Sequence, residues 1–436
     1  MLRNFLFRFK NRMKKQLLPF LFLSLGTKYG LGQTSPPAVQ FSQTYQPVSW
    51  GILPSNLARG YASNGNVFFA GMASTRGLTS SFAESSVLKF DPSRLLWNHQ
   101  VHSCSANNRD QCNGYTIYDL VPTPDGGALS VGKTLIRVDA NSNRMWESAL
   151  VADGSRAVAL TDGTFWVYKS PNQLLRISGN GQQILQSRPI GDNQLLDIAA
   201  TADGGFVYTG SGGTHKIGGS GGNWSNGLYA NNIRQTGDGS FIAWGDNGVL
   251  KLAANGAQQG ESYYAPGINQ LVLTNDNGCA FVTNASVTRL RGDLSSRWVS
   301  GSGGGRIAQT TDGDFVVASG SGIRKLSGEN GQEKWTLNNP VYTPPQAAPY
   351  VYGLAPAGDG GFFQWNSEPK PNDTYNTYLT QIRKFTADPI SCTVSASISA
   401  LGSTSFCTGG SVTLNASTGQ NLTYQWRRDG QNIAGA

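Results

Sequence analysis

The chain has 436 residues, 14% of them charged and 55 of them glycine, with a formal net charge of +8. Seven of its 34 basic residues and none of its 26 acidic ones lie in the first 32 positions, so the remainder carries 27 basic against 26 acidic side chains. That balance excludes an electrostatic footprint for nucleic acid or anionic lipid. The lack of any sustained i, i+3, i+4, i+7 apolar pattern excludes a helical class.

At the N-terminus, Arg3, Arg8, Lys10, Arg12, Lys14 and Lys15 form a basic head. Leu17 to Leu25 is a short apolar run, and Gly26, Gly30 and Gly32 follow. This is the layout of a secretory signal peptide. The run is shorter than the roughly 20 apolar residues of a membrane span. The alternative is an uncleaved N-terminal anchor. The expected location is secreted or cell-surface, with no transmembrane segment after the leader is removed.

From Asn64 onward one phrase recurs eight times. An Asn-Gly or Asp-Gly turn leads into an apolar run, followed by an apolar–basic–apolar strand. The turns are Asn64-Gly65, Asp125-Gly126, Asp162-Gly163, Asp203-Gly204, Asp238-Gly239, Asn277-Gly278, Asp312-Gly313 and Asp359-Gly360. The basic residues are Lys89, Arg137, Arg176, Lys216, Lys251, Arg289, Lys325 and Lys384. Successive turns lie 61, 37, 41, 35, 39, 35 and 47 residues apart. These values bracket a four-stranded propeller blade of about 40–50 residues. The long first interval is assigned to an inserted polar loop, Cys104 to Cys112. The Asp residues favour such turns by bonding their own backbone. The basic residues are expected to face solvent, since alternate residues of a strand point opposite ways.

A tryptophan closes several units. Trp97, Trp146, Trp298 and Trp335 each follow the basic residue by eight to ten positions. Each is expected to dock between neighbouring blades, while the other units place Leu185 or smaller residues there. Cys104 and Cys112 share one loop and are expected to pair, with Cα atoms about 4.4–6.8 Å apart. Cys279 reads as a buried free thiol.

Catalytic and metal motifs are scarce. The five cysteines and three histidines, His99, His102 and His215, form no CxxC or Cys/His metal spacing. Gly210 to Gly222 lacks a phosphate-loop pattern and reads as flexible linkage. No calcium-loop series accompanies the turn Asp residues. Arg291-Gly292-Asp293 falls in a polar turn position, where chance explains it. No catalytic, cofactor-binding or metal residue is assigned.

Thr123 to Gly132 and Leu135 to Trp146 resemble bacterial β-propeller repeats of the quinoprotein (PQQ-like) type and their relatives in exported proteins of Bacteroidetes. Lys325 to Trp335 is similar to the quinoprotein tryptophan-docking turn. The resemblance spans 45–386. It implies an all-β propeller of eight blades, or seven if 61–97 only supplies a completing strand. Quinoprotein dehydrogenases also carry calcium-ligating groups and often a vicinal disulfide. This sequence has no Cys-Cys pair, so the resemblance does not bring that activity or a cofactor with it.

The tail changes character. Val412 to Ala416 alternates with period two, Tyr424-Gln425-Trp426 follows as a second strand, and Arg428-Asp429-Gly430 reads as a hairpin turn. It resembles the first half of an Ig-like module. There the cysteine at the Cys407 position meets another near the domain's end, so a longer parent protein is expected. The expected organisation is a signal peptide over 1–32, a β-propeller over 33–387, a linker over 388–391 and an incomplete Ig-like domain over 392–436. The expected function is a non-catalytic binding or adhesion module for glycan or extracellular protein. The alternative is a polysaccharide-active enzyme or quinoprotein-like dehydrogenase with its site at the propeller channel mouth.

Overall fold

A computed structural model of the protein describes residues 36–45, 58–63, 67–76, 81–106, 117–151, 154–191, 194–301, 303–319, 322–338, 350–369 and 378–388 of one compact unit, Ser35–Asp388. In a second unit, Met1–Thr34 with Pro389–Ala436, it describes 5–6, 398–401, 411–416, 427–428 and 431–432. The described residues contain no helix long and apolar enough to cross a membrane.

The larger unit holds eight antiparallel sheets. The first runs over Ala58–Ser63, Val67–Arg76, Ser81–Phe90 and Leu95–Ala106. Six more follow in chain order over 119–148, 154–189, 195–226, 232–252, 270–300 and 306–338. The eighth takes Tyr350–Pro356, Phe362–Pro369 and Tyr378–Phe385 from the end of the unit. Its outer strand, Val39–Tyr45, comes from the unit's beginning. Each sheet is a meander, so an inner, a second, a third and an outer strand can be named in each. The fifth lacks a regular outer strand; Gln258 and Tyr263 make isolated bridges in its place.

Second and third strands are buried on both faces, as in Ala128–Val131 and Leu135–Val138. The reason is radial stacking. Eight apolar clusters each join two neighbouring sheets. The last contact in this series joins Leu88 and Phe90 of the first sheet to Phe363 and Trp365 of the eighth. The sheets therefore close a circle, and each covers the apolar face of the next.

Tryptophans mark the seams. Trp97, Trp146 and Trp298 lie on outer strands, and their indole N–H groups donate to Ala140, Gly179 and Gly328 carbonyl oxygens at 3.0, 2.9 and 3.1 Å. Each acceptor sits in the turn between the third and outer strands of the next sheet. Trp146 and Trp298 also meet Phe165 and Phe315 edge-on at 6.0 and 5.9 Å. Trp224 does the same, donating to Ala254 O at 2.9 Å and meeting Phe241 at 5.5 Å. The sequence reading passed over Trp224, although it stands eight residues after Lys216. In the third sheet Gln186 lies opposite the basic Arg176, and Leu185 is half exposed.

Several expectations change. Part of the first unit's extra length lies in its strands, three of which run 10, 10 and 12 residues, and the rest of the Cys104 to Cys112 loop lies outside the described residues. Gly210 to Lys216 is no linker; it ends a second strand, turns and starts a third. In the smaller unit Phe5–Leu6 pairs with Thr413–Ala416. Arg427–Arg428 and Gln431–Asn432 pair across a two-residue loop, as the hairpin reading requires. The Asn64-Gly65 turn, the Cys104–Cys112 pair and the Tyr424 to Trp426 strand lie outside the described residues.

The seams make a prediction. Gly331 has φ +73°, and a Cβ there would stand 2.6 Å from the Trp298 ring. Gly331→Ala should cost about 2 kcal/mol in urea unfolding. Gly301→Ala, where a Cβ meets nothing within 4 Å, should stay within about 0.5 kcal/mol of the parent. Equal costs would contradict the docking account.

Candidate functional site

The basic residues of the third strands do not face solvent. Lys89, Arg137, Lys216, Lys251, Arg289, Lys325 and Lys384 are all buried. Strand alternation fails as a guide here because both faces of each sheet are covered by neighbours. Arg137, Arg176, Lys216, Lys251, Arg289, Lys325 and Lys384 each meet the Asp of their own turn; the Asn64-Gly65 turn that precedes Lys89 lies outside the described residues. Lys216 Nζ lies 2.7 Å from Asp203, Lys384 Nζ 2.9 Å from Asp359, Lys325 Nζ 2.5 Å from Asp312 and Arg289 Nη2 2.5 Å from Asp276. Arg137 meets Asp125, Arg176 meets Asp162 and Lys251 meets Asp238. In the sixth sheet the paired residue is Asp276, one position before the expected Asn277-Gly278 turn, and Asn277 takes the positive φ of 59°.

The turn fixes the carboxylate. Thr123, Thr201, Thr236, Thr274 and Thr310 donate their hydroxyls to the Asp two residues on, at 2.6–2.7 Å. Backbone N–H groups add to this, such as Gly278 N to Asp276 at 3.3 Å. A Cβ at Gly278 would stand 2.8 Å from Arg289 Nη1 and 2.3 Å from Leu290 O. Gly278, and Gly127 and Gly361 at the second glycine of their Asp-Gly-Gly turns, therefore leave room for the cation. Burial alone would raise these carboxyls, but the hydrogen bonds and the cation outweigh it. Asp238 and Asp276 are held down at about 2, and Asp125, Asp162, Asp203 and Asp312 are also lowered.

The inner strands carry a second set that sequence reading missed. Asp119, Asp197 and Gln270 each accept a backbone N–H from the next sheet's inner strand, from Ala157, Ile233 and Ile307, all at 3.1 Å. Asp197 also meets Arg234. Each stands six residues before its turn Asp; that shared offset was the available signal.

A cavity of about 510 Å³ opens between the sixth and seventh sheets. Asn275, Asp276, Arg297, Asp312, Asp314 and Glu329 are among the residues lining it, with Lys334 at its side. Asp314 is special to this unit, because the corresponding positions hold Gly127, Thr164, Gly205, Ser240, Gly278 and Gly361. Its carboxylate accepts Gly328 N at 2.9 Å and pairs with Lys334. Arg297 Nε donates to Glu329 O at 3.2 Å, and Arg297 is among the residues lining the cavity. No histidine or cysteine lines it. Asp312 is held ionised by Lys325, which does not suit a proton donor near neutral pH.

Asp312, Asp314 and Asp388 come within 4.8 Å of one another, a spacing that a metal could use. The Lys325 ammonium already lies among them, 2.5 Å from Asp312 and Asp388 and 3.6 Å from Asp314. It supplies the cation that the cluster requires. The histidines do not converge. His99 Nδ1 contacts Ser142 O at 2.8 Å, and His215 stacks on Tyr208 at 4.7 Å. The His102 side chain lies outside the described residues. Cys279 is buried and free, its thiol pushed up to about 12 by burial. Arg291 and Asp293 fold onto their own turn, with Asp293 accepting Ser295 N at 2.9 Å.

No protein-family model matches the sequence, and no curated protein matches it either. Solved structures do. The C-terminal WD40 domain of Sif2 matches with a TM-score of 0.53 at 11% identity, covering 81% of this chain and 99% of that one. BamB from Moraxella catarrhalis matches with a TM-score of 0.53 at 11% identity, covering 80% and 98%. At that identity the likeness concerns fold alone. With the closed circle of sheets described above, the fold is a β-propeller.

The repeated pairs predict an acid transition. A carboxyl lowered on folding contributes stability above its unfolded value, near 3.9, and loses it as pH falls toward its folded value. Stability should be nearly flat from pH 7 to about 5 and fall steeply between about 4 and 2, read by urea midpoints at each pH. A loss centred on pH 6–7 would contradict this assignment.

Proposed function

We propose that the protein is an exported, eight-bladed β-propeller with PQQ-like repeats of the kind found in Bacteroidetes, joined to Ig-like material. It acts without catalysis, as a secreted or cell-surface module that holds an extracellular protein or a glycan. Residues 1–32 serve as its signal peptide, and Cys104, at the end of the first sheet's outer strand, pairs with Cys112.

The observation that supports binding is the cavity between the sixth and seventh sheets. Its walls are turn carboxylates already paired with buried cations, so they are rigid and spent. Its mouth carries exposed Arg297, Asn275 and Glu329, which offer donors and acceptors to a polar ligand. Among the described residues, no aromatic side chain lines it. That favours a polypeptide over a sugar ring, which an aromatic platform would hold.

The test is a glycan array and an extracellular-protein array probed with the full chain and with an Arg297→Ala, Asn275→Ala variant. The variant should keep its thermal midpoint and lose binding about tenfold, the worth of about 1.4 kcal/mol. Undiminished binding would move the site elsewhere. Cleavage or oxidation of any array ligand would contradict the non-catalytic reading.

A further inference from the structure

We infer that Asp388 is a clasp that completes the propeller seam where the chain cannot. At four seams an outer-strand tryptophan donates its indole N–H to a backbone carbonyl: Trp97 to Ala140, Trp146 to Gly179, Trp224 to Ala254 and Trp298 to Gly328. Ala140, Gly179 and Gly328 belong to the turn linking the next sheet's third strand to its outer strand, and Ala254 follows the fifth sheet's third strand, ahead of the Gln258 bridge. Buried cations use the same turns. Lys89 Nζ reaches Ala140 O at 3.2 Å and Lys251 Nζ reaches Gly292 O at 2.8 Å.

The eighth sheet has no such turn. Its third strand, Tyr378–Phe385, is followed by the rest of the chain, and its outer strand arrives from the other end, Val39–Tyr45. Trp335 and Lys325 of the seventh sheet therefore face a seam that lacks the usual acceptor. Asp388 takes the place of that turn. Its Oδ1 accepts Trp335 Nε1 at 3.0 Å, and its Oδ2 accepts Lys325 Nζ at 2.5 Å. One carboxylate thus serves both the tryptophan and the cation.

The residues just before Asp388 hold the outer strand. Thr386 N donates to Ala38 O at 2.9 Å, and Lys384 Nζ reaches Gln40 at 3.3 Å. Residues 384–388 therefore join the N-terminal strand on one side to the seventh sheet on the other. Sequence reading placed position 388 at the start of a linker; in this account it is the last working residue of the propeller. Lys325 is also distinguished from its counterparts. Burial pulls Lys325 down, yet Asp312 and Asp388 together hold it above its ordinary value. Burial prevails over Asp359 at Lys384, which is lowered.

The test uses the full chain carrying Asp388→Ala, Asp388→Asn, Trp335→Phe, the Asp388→Ala/Trp335→Phe double variant, and Glu261→Ala as a surface control. Hydrogen exchange is read by peptide alongside thermal midpoints. Asp388→Ala should lower the midpoint by about 3–6 °C. It should also speed exchange at least tenfold in 39–45 and 378–385 while leaving 154–189 unchanged. Asp388→Asn, which keeps an acceptor for Trp335 but loses the charge facing Lys325, should fall between Asp388→Ala and the parent. The double variant should be no worse than Asp388→Ala plus a small increment. Unchanged exchange at the closing strands, or exchange raised equally in every sheet, would overturn the clasp. So would full additivity of the two single variants.

Discussion

A buried cation facing a turn carboxylate is the constraint on which this structure depends. A third strand covered on both faces can carry a Lys or Arg only if a partner meets it there. The Asp-Gly turn joining the inner and second strands supplies that partner. The pair ties the third strand to the turn across the sheet, and the threonine before the Asp fixes the carboxylate's direction. Where a tryptophan lies opposite, the cation is also roofed. Lys89 lies 5.9 Å from the Trp97 ring and reaches two carbonyls of the next sheet. The third sheet, whose outer strand Ile184–Pro189 carries no tryptophan, has the most open pair, Arg176 with 31% and Asp162 with 48% side-chain exposure.

The same geometry shapes the cavity between the sixth and seventh sheets. Turns of neighbouring sheets converge on one face, and each carries a charge already neutralised. The seam between the sixth and seventh sheets differs through Asp314, which stands where the other units hold Gly, Ser or Thr and which pairs with Lys334. Rigid walls with an exposed polar mouth suit recognition, because little ordering is lost when a ligand enters.

Much of this was legible in the sequence. The period, the turns and four of the docking tryptophans follow from spacing alone, because each unit repeats the same local chemistry. Trp224 obeys the same spacing and was readable. The burial of the cations was not, since period-two alternation separates the two faces of a strand without saying whether either meets water. Their link to the turn Asp residues was readable only as co-occurrence, twelve to fourteen positions apart in most units and twenty-five in the last. The closing strand Val39–Tyr45 was hidden for a different reason. Its partner Tyr378–Phe385 lies more than three hundred residues away, and no local pattern announces a pairing across the whole unit. The role of Asp388 was hidden with it, because it follows from the turn that this closure removes.

The central claim rests on the strength of one repeated interaction, and the best-buried example is Lys216 with Asp203, at 2% and 20% side-chain exposure. A double-mutant cycle of Lys216→Met and Asp203→Asn, followed by urea unfolding at neutral pH, measures it directly. The account predicts a coupling of about 2 kcal/mol, in the range of hydrogen bonds to charged groups. A coupling within about 0.5 kcal/mol of zero, as for many exposed pairs, would show that the buried cation and the turn stand independently, and would contradict the account.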